Sequence, residues 1–327
     1  MKGVVLAEAR WLAAVRSSGA MTASPARAAP DLRVHAALVV VQVAFASQTV
    51  EGKILMGPAS AGGEGVSPFA VAMVRMLAAA VFFQAFTRAT GSLRPATRRD
   101  QGWLAVLSIL GIALNQTLFL VGLRMTAPVN AALLSVTIPV FTAAIAVALG
   151  HERPSWRLGI GLATSVAGVV WLTGVGSVDR GALVVLVNCF SYSAYIVLSR
   201  ATIRRLGTLT VVTWIFTWGA LLFAPLGMPA LVAGAPSWTV RSWGLLAYIV
   251  AMPTIVAYLC NAWALERSSP TLVSIYIYVQ PVLAAVLAWL QLGDTVSERL
   301  ALSAVVTAAG VTLVATRKNA VPVPMEE

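Results

Sequence analysis

Charge is what this sequence has least of. Only 11% of its 327 residues are Asp, Glu, Lys or Arg, where a soluble protein keeps roughly a quarter. So little charge cannot wet the surface of a chain this long, which excludes a soluble globular fold. Acids are the scarcer sign, with 12 Asp and Glu against 23 Lys and Arg. Histidine occurs twice, His35 and His151, both at the ends of apolar runs. Cysteine also occurs twice, and Cys189 and Cys260 lie inside apolar runs with neither disulfide nor metal spacing. There is no Gly-x-Ser-x-Gly elbow, no pair of carboxylates within an apolar run, and no Gly-rich phosphate loop closed by Lys. Hydrolase chemistry and direct ATP drive therefore lack their usual carriers. No enzyme activity, cofactor or metal is expected.

What the chain does have is apolar length. It is 59% hydrophobic, with a mean hydropathy of +0.84. Runs of ~20 apolar residues recur and read as membrane-spanning helices. Ten spans are expected, at about 34–56, 68–88, 102–123, 127–150, 156–176, 180–200, 209–233, 242–265, 270–292 and 298–316. The connections are short, the longest being the Gly-rich Gly57–Ser67, so no soluble domain fits between spans. The net charge of +11 does not point to nucleic acid. With the N-terminus placed in the cytoplasm, seventeen Lys and Arg fall inside, five outside, and Arg75 within a span, which accounts for all 23. That asymmetry puts both termini in the cytoplasm. Residues 1–33 read as an Arg-bearing tail rather than a cleaved signal, and 317–327 as a second tail.

The chain repeats itself. Leu123–Thr173, moved by 142 positions, lands without a gap on Leu265–Ala315. Pro128 falls on Pro270, Pro139 on Pro281, Glu152 on Asp294, and Ala167-Gly168-Val169 on Ala309-Gly310-Val311. The two units, 34–176 and 180–316, hold five spans each. Five is odd, so the second copy enters the membrane upside down. Inverted repeats recur in secondary transporters, where two similar halves exchanging roles give inward-open and outward-open states.

These features resemble the drug/metabolite transporter superfamily, specifically its bacterial ten-helix members with tandem EamA domains. The resemblance rests on Ala127–Leu133, Pro139–Ala143, Glu152, Gln280–Ala285, Leu292-Gly293-Asp294 and Ala309–Val311, with Arg75 and Ser199-Arg200 in matching places. It covers nearly the whole chain beyond residue 33. It implies an all-α inner-membrane exporter with alternating access, with amino acids or related metabolites as the leading substrates. Glu51 is a departure from that pattern.

Polar groups within a bilayer are costly and mark cavities or partners. Arg75 is the most expensive. It suits a substrate carboxylate or phosphate, while its structural alternative is a pair with Glu51 or with helix-end carbonyls. Asn188, Tyr192, Tyr195 and Ser199 form one polar stripe on span 6, with a weaker counterpart on span 1 in Gln42, Thr49 and Lys53. Span 3 offers Asn115 and Gln116 and its repeat partner, span 8, Tyr258 and Asn261, with Gln116 falling on Tyr258 under the shift of 142. Span 9 offers two faces, Tyr276 with Gln280 and Ser274 with Tyr278, and the sequence does not choose between them. Trp214 and Trp218 serve equally as a stacking platform or as an interfacial belt. Glu51 and Lys53 are candidates for ion pairing or coupling. Pro128, Pro139, Pro253, Pro270 and Pro281 are candidate flex points. Gly159, Ala163 and Ala167, with Ala301, Val305 and Ala309, read as outer scaffold and a candidate homodimer surface. The alternatives to amino acid export are export of amphipathic drugs, flipping of a lipid-linked intermediate, and, from a different class, a membrane sensor without transport.

Overall fold

The computed structural model describes residues 32–150, 156–173, 179–267 and 276–293, together with 298, 301, 302, 304–306 and 309. The acidic turns at Glu152 and Asp294, Pro270, Ser274, the side chain of Tyr278 and both tails lie outside the described residues.

Nine helices account for nearly all of the described chain. They are α1 (Leu32–Met56), α2 (Pro68–Ala89), α3 (Arg98–Met125), α4 (Pro128–Ala148), α5 (Trp156–Thr173), α6 (Arg180–Leu206), α7 (Thr208–Gly234), α8 (Val240–Arg267) and α9 (Gln280–Leu292). Among the described residues, seven of these, α1–α4 and α6–α8, are long and apolar enough to cross a membrane. Apolar residues cover their outward faces too, as at Val39, Val40 and Val43 of α1, while Val34, Leu38 and Val41 are buried. A helix apolar all round belongs in lipid.

The repeat is deeper than the sequence match. Helix α3 is a straight run Arg98–Ser108, a π-helical segment Ile109–Leu114, and a second run Asn115–Met125. Adding 142 to every bound gives the three pieces of α8: Val240–Val250, π-helical Ala251–Val256, and Ala257–Arg267. Both helices open on a capping box, Thr97 with Asp100 and Thr239 with Ser242, again 142 apart. Helix α4 breaks at Val136-Thr137 ahead of Pro139, which cannot donate to the preceding turn. In the other half, a 3₁₀ turn at Tyr276–Val279 precedes α9 and Pro281 at the matching place.

The packing follows the same symmetry. Helices α2 and α7, partners in the repeat, lie against each other along much of their length. Phe83 stacks on Phe216 and Phe69 on Phe223, and Gln84 donates to Thr217 at 2.8 Å. The second run of α3 packs on α6, as the second run of α8 packs on α1. Gly207, at φ 81°, joins α6 to α7 in a single residue, a backbone that L side chains rarely adopt. Helix α5 sits at the edge: Ala163 and Ala167 are exposed and nothing stands over Gly159. The expected small-residue stripe therefore faces outward in the single chain. The prolines divide: Pro128 and Pro281 open helices, Pro139 follows a break, and Pro253 sits inside a π segment. Pro225 and Pro229, within α7, were not among the expected flex points.

Candidate functional site

The two π segments frame the middle of the bundle, and each is stabilised differently. A π turn frees carbonyls that an α-helix would have paired, and such turns cluster at functional sites. In α3, side chains from α6 supply the missing donors: Ser191 Oγ to the Leu110 carbonyl at 2.9 Å and Asn188 Nδ2 to the Asn115 carbonyl at 2.6 Å. The turn also brings Gly111 flat onto the Tyr195 ring, where a Cβ would come within 2.6 Å.

In α8 the cause is Pro253, which lacks the N–H owed to the Ile249 carbonyl. Thr254 Oγ1 donates there instead, at 2.9 Å, and in turn accepts from Arg75 Nε at 3.0 Å. Arg75 Nη2 donates to Gln48 Oε1 of α1 at 3.1 Å. A guanidinium only 3% exposed thus joins α1, α2 and α8. Both of its partners are neutral. The ion pair with Glu51 is not formed: among the described residues no acid lies within salt-bridge distance of Arg75. A buried cation without a counter-anion is costly and marks a place where charge is used.

Of the aromatic residues expected from the sequence, Tyr258 lies near Arg75. Tyr258 is in electrostatic range of Arg75, Tyr192 and Tyr195. Tyr192 stacks on Tyr195 with ring centroids 5.7 Å apart, and Tyr258 meets Phe216 edge-on at 5.1 Å. Gln116 is buried with neither amide atom bonded, and Trp214 Nε1 is buried without an acceptor. Such groups are normally satisfied in a folded protein, so these two are exceptions.

Other candidates fall elsewhere. Asn188 is spent on the Asn115 backbone, and the half-buried Asn115 side chain lies beside it in sequence to Gln116. Tyr276 bonds His35 Nδ1 at 2.6 Å, thirteen residues before Gln48 on α1, hence about 20 Å along the helix. It is not part of the Arg75 cluster. Gln280 is buried and Asn261 half-buried. Gln42, with a buried unpaired Oε1, lies six residues from Gln48 and on a different face of α1. The span 1 stripe is corrected likewise. Thr49 bonds its own helix, and Lys53 donates to the carbonyls of Leu123, Arg124 and Thr126, capping α3. The polar residues of α1 that meet the site are Ser47, which accepts from Tyr248 Oη at 2.7 Å, and Gln48. Trp218 is anchored by Gln101 at 2.8 Å.

Two polar clasps close the ends of α3 and α8. Asp100, in the α3 capping box, takes a two-pronged contact from Arg205 at the end of α6. At the matching place on α8, Ser242 stands where Asp100 does, and the acid comes from outside the helix. Glu64, in the α1–α2 loop, accepts from Thr239 and Ser242 and lies 3.4 Å from Arg241. The hydroxyl donors and then Arg241 hold the Glu64 carboxyl below its ordinary value of 4.5. A depressed acid stabilises the fold above its ordinary pKa and ceases to as pH falls through the lowered one. Glu64→Gln is expected to lower the thermal midpoint at pH 7, the gap from wild type closing below pH 4.5. A gap unchanged between pH 7 and pH 3 contradicts the clasp, read by thermal melts in detergent at about unit steps.

The comparisons with known proteins bear on this geometry. The family model described as the EamA-like transporter family matches residues 34–174 and again 179–316. The chain belongs to the EamA-like transporter family. An uncharacterized transporter of Archaeoglobus fulgidus is 24% identical over 294 residues, covering 88% of this chain and 99% of that one. A probable terminal-alkyne amino-acid exporter of Streptantibioticus cattleyicolor is 25% identical, covering 71% and 79%. A solved crystal structure aligns over 86% of this chain and 95% of its own with a TM-score of 0.57 at 18% identity, a likeness of fold. The EamA transporter is thus a multi-pass membrane protein built from two family repeats.

One cavity lies off the central site. About 370 Å³ in volume, it opens between α4 and α9 and is lined by Val129, Leu133, Pro281, Val286, Trp289 and their apolar neighbours. Among the described residues its lining is apolar.

Proposed function

We propose that this EamA transporter moves small amino acids or related carboxylates out of the cell by alternating access between its two inverted halves. The observation that carries the reading is Arg75: a buried guanidinium, without an acid partner among the described residues, bonded to the π segment of α8, whose counterpart the repeat places in α3. A carboxylate would supply the missing counter-charge, and guanidinium forks match carboxylate geometry. The likeness to a probable terminal-alkyne amino-acid exporter favours the same class. In this reading the tenth span lies within 298–316, both termini face the cytoplasm by the Lys and Arg bias, and the membrane is the plasma membrane, where α-helical spans are the rule. The π segments and the α4 and α9 breaks are the elements that flex.

Counterflow in proteoliposomes tests it. Purified protein preloaded with an unlabelled amino acid is expected to accumulate the labelled one transiently and saturably. Absence of counterflow across the standard α-amino acids overturns the substrate class. The cavity between α4 and α9 supports a second reading, export of amphipathic compounds, because its lining among the described residues is apolar. Under that reading, lipophilic cations rather than amino acids drive counterflow, and Trp289→Ala changes their rate while Arg75 variants do not.

A further inference from the structure

Glu51 enters none of the contacts described so far. It is half-buried within α1, and among the described residues no hydrogen bond or ion pair engages its carboxylate. Its direction follows from the preceding turn. Ser47 receives Tyr248 of α8, and Gln48 receives Arg75 of α2. Residues three and four positions apart share a helix face, so Glu51 points into the crevice where α2 and α8 meet α1. Leu55, in the following turn, is fully buried in the core. Helix periodicity therefore places Glu51 on the bundle-facing side of α1. An acid inside a span is too costly to keep without a use.

Glu51 stands about 4.5 Å beyond Gln48 along the helix axis, the rise of three residues. The side chain that holds the guanidinium, Gln48, and the acid Glu51 thus rise from neighbouring turns on one face of α1. In a low dielectric such charges attract strongly, yet Gln48 and Thr254 hold Arg75 apart from Glu51. We infer that Arg75 and Glu51 form a zwitterion site between α1, α2 and α8, in which Arg75 takes the carboxylate and Glu51 the ammonium of one α-amino acid. Such a site presupposes the amino-acid transport proposed above and names how the substrate is held. A bare carboxylate leaves Glu51 unpaired and an amine leaves Arg75 unpaired; a zwitterion satisfies both charges at once and keeps the occupied site neutral. This selects against desamino analogues by a penalty on each wrong ligand. It also accounts for an acid and an arginine persisting in one crevice without pairing with each other.

The test uses the full-length protein in liposomes with labelled leucine, alanine and phenylalanine as probes. On wild type, 4-methylpentanoate (leucine without its amine) and 3-methylbutylamine (leucine without its carboxylate) are expected to compete at least about tenfold more weakly than leucine. Glu51→Gln, close to the native shape, is expected to reduce the preference for leucine over 4-methylpentanoate by about tenfold, and Glu51→Asp by less. Size-exclusion profiles check that each variant is folded, and the wild-type competition series stands even if none is. Equal competition by leucine and 4-methylpentanoate on wild type overturns the inference. So does a Glu51→Gln protein that keeps its preference in counterflow and loses only accumulation driven by a pH gradient, because Glu51 then carries protons and not substrate. Wild-type protein without counterflow of any amino acid overturns the transport proposal itself, a result separable from the others.

Discussion

Replacing Arg75 with methionine is expected to leave a folded protein whose amino acid counterflow falls by about 100-fold or more, roughly 2.7 kcal/mol of lost binding. The two halves of that expectation have different origins. Folding is spared because a buried charge is a weak stabiliser, and an apolar side chain of similar length avoids its desolvation. The substitution does leave Gln48 Oε1 and Thr254 Oγ1 without their donor, at about 1–3 kcal/mol for a buried acceptor. The gain and the loss are of similar size, so the thermal midpoint should move little. Flux has no such compensation, because nothing else described near the site carries positive charge. Arg75→Lys separates charge from geometry. An ammonium keeps the charge but cannot fork across Gln48 and Thr254, so an intermediate loss of about tenfold is expected. Full counterflow by the methionine variant would reassign Arg75 as a bolt between α1, α2 and α8 and move the substrate elsewhere.

Much of this arrangement was legible beforehand because it rests on period and punctuation. Apolar runs bounded by Arg and Gly gave a first eight spans that agree with the helices to within about six residues, while the start of the ninth and most of the tenth lie outside the described residues, and the gapless shift of 142 placed Pro139 opposite Pro281. The family assignment followed from the same residues. The π segments were not legible. Ile109–Leu114 and Ala251–Val256 share almost no residues, so a match by identity ends near Leu123 while the backbone repeat reaches back to Thr97. One turn is widened by Pro253 and the other accepts Gly111 against Tyr195: the same geometry by different chemistry, invisible to alignment. Arg75, Gln116, Tyr192, Tyr195 and Tyr258 were singled out from the cost of polarity in lipid. Of their helpers, Thr254 was missed because short hydroxyl side chains in spans usually bond their own backbone, as Thr49 does, and Gln48 because nothing in its sequence surroundings sets it apart from Gln42. Only the third dimension shows which of them turns toward the arginine.

The close crossing of α3 and α6 sets the second large effect, on stability. Gly181→Val is expected to destabilise the transporter by about 3 kcal/mol, at the upper end of overpacking. A Cβ on Gly181 would come 2.8 Å from the Met125 carbonyl carbon and the Thr126 nitrogen, and one on Gly122 would come 2.6 Å from Val185 Cγ2. Each glycine faces the other helix, and the atoms opposite Gly181 include backbone, which cannot rotate away. Nor can the helices slide apart. Asp179 caps α6 through the Gly181 and Ala182 amides while its other oxygen accepts from Thr126, and Lys53 grips the last carbonyls of α3. Small residues let membrane helices approach this closely, and there the packing itself is the stabilising force. Gly159→Val is the control. Gly159 belongs to the small-residue stripe that the sequence made prominent, but a Cβ there meets nothing within 4 Å, so a change within about 0.5 kcal/mol is expected for the monomer. Thermal melts in detergent read both. If Gly181→Val melts with wild type, the α3–α6 crossing is looser than drawn. If Gly159→Val is the destabilised one, the outward face of α5 is covered in solution by a second copy, and the melts should then depend on protein concentration.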